Sequence, residues 1–568
     1  MGQKFHLFTH IDGNAAPGHQ SFDNLEEAQL TARNFIPQLH AQGYITASVD
    51  SAGLSDSSIS LFIFQGKQYK WHKISFKNLP EPMMEVINSR FGPHEGGAYA
   101  PGKIKEITDY ILGYADETGY PFAQVYFEEV QIDEEQQVSA TLIYDPGSDY
   151  IIDSIRVHFD GRLNNSFFYN YLDIYDGMPY TARKMRTLSP LIASLPYLEE
   201  EKSWQLNFGV NENTLDLYLK ERKANQANAI LGIQPSADQD KRFDITADVL
   251  LFFQNEFGYG ERLKFSYQQL QQNSPRMNAS LNWPYLFGTK FGVEGNFEYQ
   301  RFDTTFRKTT GNAGIIYQLN ANDFVKVYSE IQSNRTITFD TAFVKNNKRL
   351  PPNIDVTSTG GGLQVMINRL NNNLNPVKGL MVSTSIAGAK RTILVNNAID
   401  LISDATGFDY LSLYDTVNHQ QFQMKLKTSL SYFLPVWKTL TIRMGYENGY
   451  ISGSGLFRNE LYQIGGFKLL RGFNELSIFS NHYHIGTIEP RLLMGPLSHI
   501  YLFSDFGYVA TLDFNNMPSQ FNVLSFGVGG TLSTESGIFN VAFGLGRQGN
   551  ESLNFRDTRV HFGYAVYF

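Results

Sequence analysis

The stretch Phe422-Gln423-Met424-Lys425-Leu426-Lys427-Thr428-Ser429-Leu430-Ser431-Tyr432 carries a two-residue period. Apolar Phe422, Met424, Leu426, Leu430 and Tyr432 alternate with polar Gln423, Lys425, Lys427, Ser429 and Ser431. Successive side chains of a strand point to opposite faces, so this strand is greasy on one side and wet on the other. Phe243-Asp244-Ile245-Thr246-Ala247-Asp248-Val249 repeats the pattern. From about Asn225 to the end the helical period all but vanishes. About sixteen such segments follow there, joined alternately by short turns and longer loops. An all-β transmembrane barrel of antiparallel strands accounts for this. Its apolar face meets lipid, its polar face lines a watery interior, and an even strand number closes it. Short connections such as 434–437 are expected at one end, and the longer ones, 335–355, 391–416 and 450–481, at the other. Soluble β-sandwiches also alternate, but they rarely do so over this many hairpins without a second buried face.

Composition agrees. The 568 residues are 42% hydrophobic and 18% charged, with 44 Phe, 32 Tyr and a net charge of -9. Phosphate binding wants clustered Lys and Arg, and no basic run is present, so nucleic acid is not an expected partner. The absence of Cys removes disulfides, thiolate metal sites and a lipidated amino-terminal Cys. No stretch approaches the roughly 18 apolar residues of a membrane helix. The first fourteen residues lack the basic-then-apolar layout of a signal peptide, so an exported form is expected to have lost its signal.

The part before about Arg222 reads differently. Leu25, Ala28, Ala32, Phe35 and Leu39 share a helical face, as do Ile104, Ile107, Ile111 and Tyr114, and later Met185, Leu188, Ile192 and Leu195. Pro37 and Pro190 fall inside two of these helices, where Pro normally kinks or ends a helix. Each helix leads into a strand pair. Gly43-Tyr44 opens the run to Val49, followed by Ser60 to Phe64; Gly119-Tyr120 opens the run to Val125, followed by Ala140 to Tyr144. A third copy ends in Trp204 to Phe208 and Thr214 to Leu219. The expectation is three tandem α+β modules, at 1–67, 68–149 and 150–223, before a barrel at 224–568.

In pattern these modules resemble POTRA repeats, the polypeptide-transport-associated domains that precede outer-membrane assembly barrels. Gly465-Gly466-Phe467-Lys468-Leu469-Leu470-Arg471-Gly472-Phe473 lies in the long loop between the eleventh and twelfth strands. It resembles the Arg-Gly-Phe/Tyr loop motif of the superfamily containing BamA, TamA and the two-partner secretion transporters, whose barrels are of the bacterial surface antigen type. Phe503-Ser504-Asp505-Phe506-Gly507, in the thirteenth strand, matches that superfamily's Phe-x-Asp-x-Gly motif. The resemblance implies that the loop folds into the barrel and that Arg471 meets Asp505, with Glu489 on the twelfth strand as a second acceptor beside Pro490. A planar guanidinium suits a carboxylate, and Gly472 lets the loop turn or pack closely. Leu470 stands where the family often has Val. The chain end, where Val560, Phe562, Tyr564, Val566 and Phe568 alternate with Arg559, His561, Gly563, Ala565 and Tyr567, looks like the terminal strand signature of outer-membrane barrels.

The resemblance further implies a location in the outer membrane of a Gram-negative bacterium with the modules in the periplasm. Its implied partners are membrane lipid, unfolded client polypeptides and periplasmic or lipoprotein accessory subunits. The implied function is insertion, assembly or translocation of polypeptides, through a seam mapping to 227–234 and 560–568. A two-partner secretion transporter and a passive diffusion porin are the rivals. The former typically has two modules and a plug helix, and the latter has no need of a modular arm.

Other motifs carry less. Gly544-Leu545-Gly546-Arg547-Gln548-Gly549 has the spacing of a dinucleotide loop but is flanked by strands, where that chemistry needs a following helix. It reads as turn and barrel glycine. His482-Tyr483-His484 puts two imidazoles on one strand face without a third ligand. Neither a Gly-x-Ser-x-Gly elbow nor a His-Glu-x-x-His helix is present. No enzyme activity, metal or cofactor is expected.

Overall fold

The computed structural model describes residues 4–12, 17–55, 57–91, 101–235, 243–269, 274–373, 375–402, 407–512, 517–534 and 537–565. The chain forms two compact units, 1–155 with 176–188 and 206–215, and 156–175 with 189–205 and 216–568.

In the first unit, β1 (Phe5–Ile11), β2 (Gly18–Phe22), β3 (Ser48–Ser55) and β4 (Ser58–Phe64) make a sheet ordered β2-β1-β4-β3, with β1 and β4 parallel. Helix α1 (Leu25–Ala41) packs on one face, burying Ala28 and Leu39 against Leu7, Ile59, Leu61 and Ile63. Asn24 caps it by accepting from the Glu27 amide at 2.7 Å. A second sheet, ordered β5-β7-β6, comprises β5 (Lys70–Lys77), β6 (Gln124–Ile132) and β7 (Gln137–Asp145). It carries α2 (Glu81–Phe91) and α3 (Pro101–Glu117), whose Met83, Ile87, Ile107 and Ile111 pack on Leu142.

Two sequence expectations are corrected here. Gly43-Tyr44 and Gly119-Tyr120 do not open strands; they close helices. Gly43 has φ +98° and Gly119 φ +106°, and the Tyr44 and Tyr120 amides reach back to Leu39 and Ala115 carbonyls five residues earlier. This left-handed glycine cap delays the strands to Ser48 and Gln124. Helices α1 and α5 (Ala182–Ser194) run through Pro37 and Pro190. In α5 the fully buried Leu188 and Ile192 flank the proline, so apolar burial offsets the lost backbone bond.

The remaining elements before the barrel are β8 (Ile151–Ile152), β9 (Ser154–His158), α4 (Asn165–Leu172), β10 (Met178–Pro179), β11 (Leu198–Phe208) and β12 (Asn213–Glu221). Strands β8 and β10 pair, and β11-β12-β9 form a sheet. Within the second unit α4 rests on two barrel turns. The Asn164 amide donates to the Gly258 carbonyl at 2.8 Å, the Asn170 amide group to that of Gly288 at 3.1 Å, and Phe167 meets Tyr285 edge-on.

The barrel is a sixteen-stranded antiparallel sheet. It runs through β13 (Gln226–Pro235), β14 (Phe243–Gln254), β15 (Arg262–Gln269), β16 (Arg276–Trp283), β17 (Phe291–Phe302), β18 (Phe306–Gln318), β19 (Phe324–Thr336) and β20 (Val356–Asn368). It continues through β21 (Gly379–Ile393), β22 (Gln420–Trp437), β23 (Leu440–Ile451), β26 (His482–Leu493), β27 (His499–Leu512), β28 (Pro518–Thr534), β29 (Gly537–Gln548) and β30 (Arg559–Ala565). A small hairpin, β24 (Tyr462–Ile464) with β25 (Ile478–Ser480), lies in the loop between β23 and β26. The alternation of the opening stretch is inside-out relative to a soluble core. Phe422 is 69% exposed and Met424 43%, whereas Gln423 is 3% exposed. That is the pattern of a wall with lipid outside. No described helix is long and apolar enough to cross a membrane.

Residues 434–437 are not a turn but the end of β22; the turn is Lys438-Thr439. Pro435 is accommodated because the register shifts between Pro435 and Trp437, an irregularity at which a missing amide is tolerated. The long connections 337–355, 394–419 and 452–481 all leave from one end of the barrel. They share their own apolar core of Val344, Ile354, Ile399, Tyr410, Tyr414 and Phe457.

Candidate functional site: a loop latched inside the barrel

On β27 the apolar Phe506 points out and Asp505 points into the lumen, where it is fully buried. A lone buried carboxylate is costly, so it needs compensation by charge and hydrogen bonds. Arg471, on the 452–481 loop, provides both. Its Nε donates to Asp505 Oδ2 at 3.0 Å, its Nη2 to Oδ1 at 2.8 Å, and its backbone amide to Oδ2 at 3.0 Å. Thr487 on β26 and Ser525 on β28 add hydroxyl donors at 2.8 and 3.5 Å.

The other edge of the same guanidinium donates to Glu489 on β26. Glu489 also receives Arg491 Nε at 2.7 Å and lies 3.5 Å from Arg443 Nη1. Three guanidiniums thus share two carboxylates. Burial alone would pull the Arg471 guanidinium down, but Asp505 and Glu489 more than reverse this and hold it above its ordinary value, so it stays charged. Its flat face lies 3.8 Å from the Phe503 ring centre, a cation–π contact in a desolvated setting. Pro490 leaves its mark beside Glu489. The β26–β27 ladder has no pairs between Ile488↔Ser504 and Arg491↔Tyr501.

Gly472 sits at φ +87°, and a Cβ there would come within 2.7 Å of the β29 backbone at Leu545 and Gly546. The reverse also holds: a Cβ on Gly544 would meet the Gly472 amide at 2.6 Å, and one on Gly546 the Phe473 ring at 2.6 Å. Gly544 and Gly546 of the dinucleotide-like motif are therefore the bare strip of wall on which the loop tip lies. Sequence alone gave them no such role, because the signal is spatial. Gly507 on β27 abuts the His484 carbonyl, which a Cβ would approach to 2.1 Å.

The same loop is anchored a second time, and the sequence carried no hint of it. Arg391 on β21, 1% exposed, forks onto Glu460 with bonds of 2.6 and 2.7 Å and also donates to the Gly455 carbonyl at 3.0 Å. No local motif links residues so far apart in sequence. Thr487, Ser525, Arg491 and Arg443 were likewise missed, being single polar residues on alternating strands.

The terminal strand places Val560 and Phe562 on the exposed face. Tyr564 lies opposite Phe539, and Val566 and Phe568 fall outside the described residues. His482 and His484 share the face of β26 opposite buried Tyr483, their rings 4.5 Å apart, and His484 Nδ1 lies 2.7 Å from the Tyr446 hydroxyl. Among the described residues no group of three or more potential ligands is placed to hold a metal.

Comparison with known proteins places this geometry. No curated protein matches the chain in sequence. Two CdiB structures share its fold: that from Acinetobacter baumannii, 12% identical, covers 96% of this chain and 98% of its own at a TM-score of 0.50. CdiB from Escherichia coli, 13% identical, covers 95% and 97% at 0.50. BamA from Haemophilus ducreyi lacking POTRA domains 1-3 aligns at 15% identity over 88% of this chain and 99% of its own, with a TM-score of 0.46. The Omp85 superfamily domain matches residues 255–568, more than half of the chain and the whole of the latch and its wall. The chain belongs to the Omp85 superfamily.

Proposed function

We propose that this outer-membrane barrel assembles client polypeptides into the membrane, its three α+β modules acting as POTRA-like periplasmic receivers and its long loops facing outward. The observation that carries this reading is the seam. Among the described residues β13 ladders with β14 and β30 with β29, and no ladder joins β13 to β30. The first and last strands lie side by side. In lipid an unpaired edge is unfavourable, so it favours pairing with an incoming strand. Receivers are available in the arm. Edge strand β3 is exposed at every residue, and β6 at most of them. An extended segment adds to such an edge through main-chain bonds that tolerate many sequences.

The buried loop disfavours a passive porin, since Arg471 and its neighbours occupy the lumen. Secretion of a dedicated partner is the nearer rival. Depleting the protein in its native cell separates the readings. Broad loss of outer-membrane barrels supports assembly, loss of one secreted protein supports secretion, and loss of small-solute uptake alone supports a porin. Accessory subunits belong to the same proposal and would co-purify with the intact protein.

A further inference from the structure

Strand β30 is the last of the barrel sheet, and among the described residues it ladders with β29. On its inward face stands His561, whose Nε2 is buried without a hydrogen-bond partner among the described residues. The ring of Phe467, from the 452–481 loop, lies against it at 5.9 Å between centres. Phe467 also packs on the buried cluster of Tyr501, Phe503 and Ala542, which belong to β27 and β29. Phe503 is the ring beneath the Arg471 guanidinium. A continuous line of contact thus runs from Asp505 through Arg471, Phe503 and Phe467 to His561.

We propose that this line is a strut: the latched loop braces the terminal strand from inside, and Phe467 and His561 are positioning residues that set how readily the seam parts. The proposal rests on the assembly reading for its purpose but not for its test. The loop has the stiffness a strut needs. It is seated on bare β29 backbone at Gly544 and Gly546 and is pinned by buried ion pairs at Arg471 and Glu460. A tilted aromatic contact of this kind contributes about 0.5 to 1.5 kcal/mol beyond its buried area, enough to shift a balance between a closed and a parted seam.

The chain has no Cys, so spin labels at Leu251→Cys on β14 and Phe543→Cys on β29 report the seam without background. The full-length protein is purified in lipid nanodiscs with no client, and distances are read by pulsed electron spin resonance. Phe467→Ala and His561→Ala are each expected to raise the ratio of long to short distances about two- to tenfold, as expected for losing one aromatic contact. Phe467→Tyr, which keeps the ring, is expected to retain the wild-type distribution, and Lys468→Ala beside it likewise. Heat-modifiable migration on gels verifies that each barrel is folded. Wild-type distances in both alanine variants overturn the strut, as does equal broadening by Phe467→Tyr. Because no client is present, a failure of the assembly reading would appear in the depletion experiment and leave these distances unaffected.

Discussion

Arg471 meets two carboxylates at once, and the surroundings decide which partner depends on it more. Glu489 keeps Arg491 and Arg443 if Arg471 is removed, whereas Asp505 keeps only hydroxyls and an amide. Arg471→Ala therefore strands Asp505, and Asp505→Ala leaves three guanidiniums around one carboxylate. Removing one partner of a buried pair typically costs about 3 to 5 kcal/mol, against about 0 to 1 for a surface pair. The latch at 6% exposure for Arg471 and 0% for Asp505 falls in the first class. Each substitution is expected to impair client assembly while the barrel still reaches the membrane, measured as client levels against the variant's own level in outer-membrane fractions. Wild-type activity in both variants would contradict a functional latch.

At the scale of elements, the 452–481 loop behaves as a part of the wall because two buried pairs hold it. Arg471→Ala releases the tip but leaves the Arg391–Glu460 fork and the shared loop core in place. Limited proteolysis of intact cells is thus expected to cut within 452–481 only slightly faster in either single variant, Arg471→Ala or Glu460→Ala, and much faster in the double variant. Equal cutting in single and double variants would contradict two independent anchors. The period-2 strands and the Arg-Gly-Phe and Phe-x-Asp-x-Gly motifs were legible in sequence because each depends on neighbours along the chain. Helices α2 and α4 were not, since Met83 with Ile87 and Phe167 with Phe168 and Tyr171 are too short as patterns to stand out. The strand starts after Gly43 and Gly119 were misplaced because a left-handed cap and a strand opening share the same letters. The Arg391–Glu460 pair and the glycine seat on β29 are tertiary facts that no local pattern encodes.

For the whole molecule, an apolar exterior and a polar lumen suit a barrel in a lipid bilayer, and the proposed seam between β13 and β30 is the feature on which the assembly reading depends. The loop tip is bonded to β27 at Asp505 and lies on β29 at Gly544 and Gly546. The most direct test places photo-crosslinking residues at Asn228 on β13 and Phe562 on β30 in living cells and identifies whatever is trapped. Capture of extended segments of newly made outer-membrane barrels is expected at both positions, strongest during rapid growth. Recovery of only β13–β30 crosslinks within the chain, with no polypeptide client under any condition, would contradict the assembly reading.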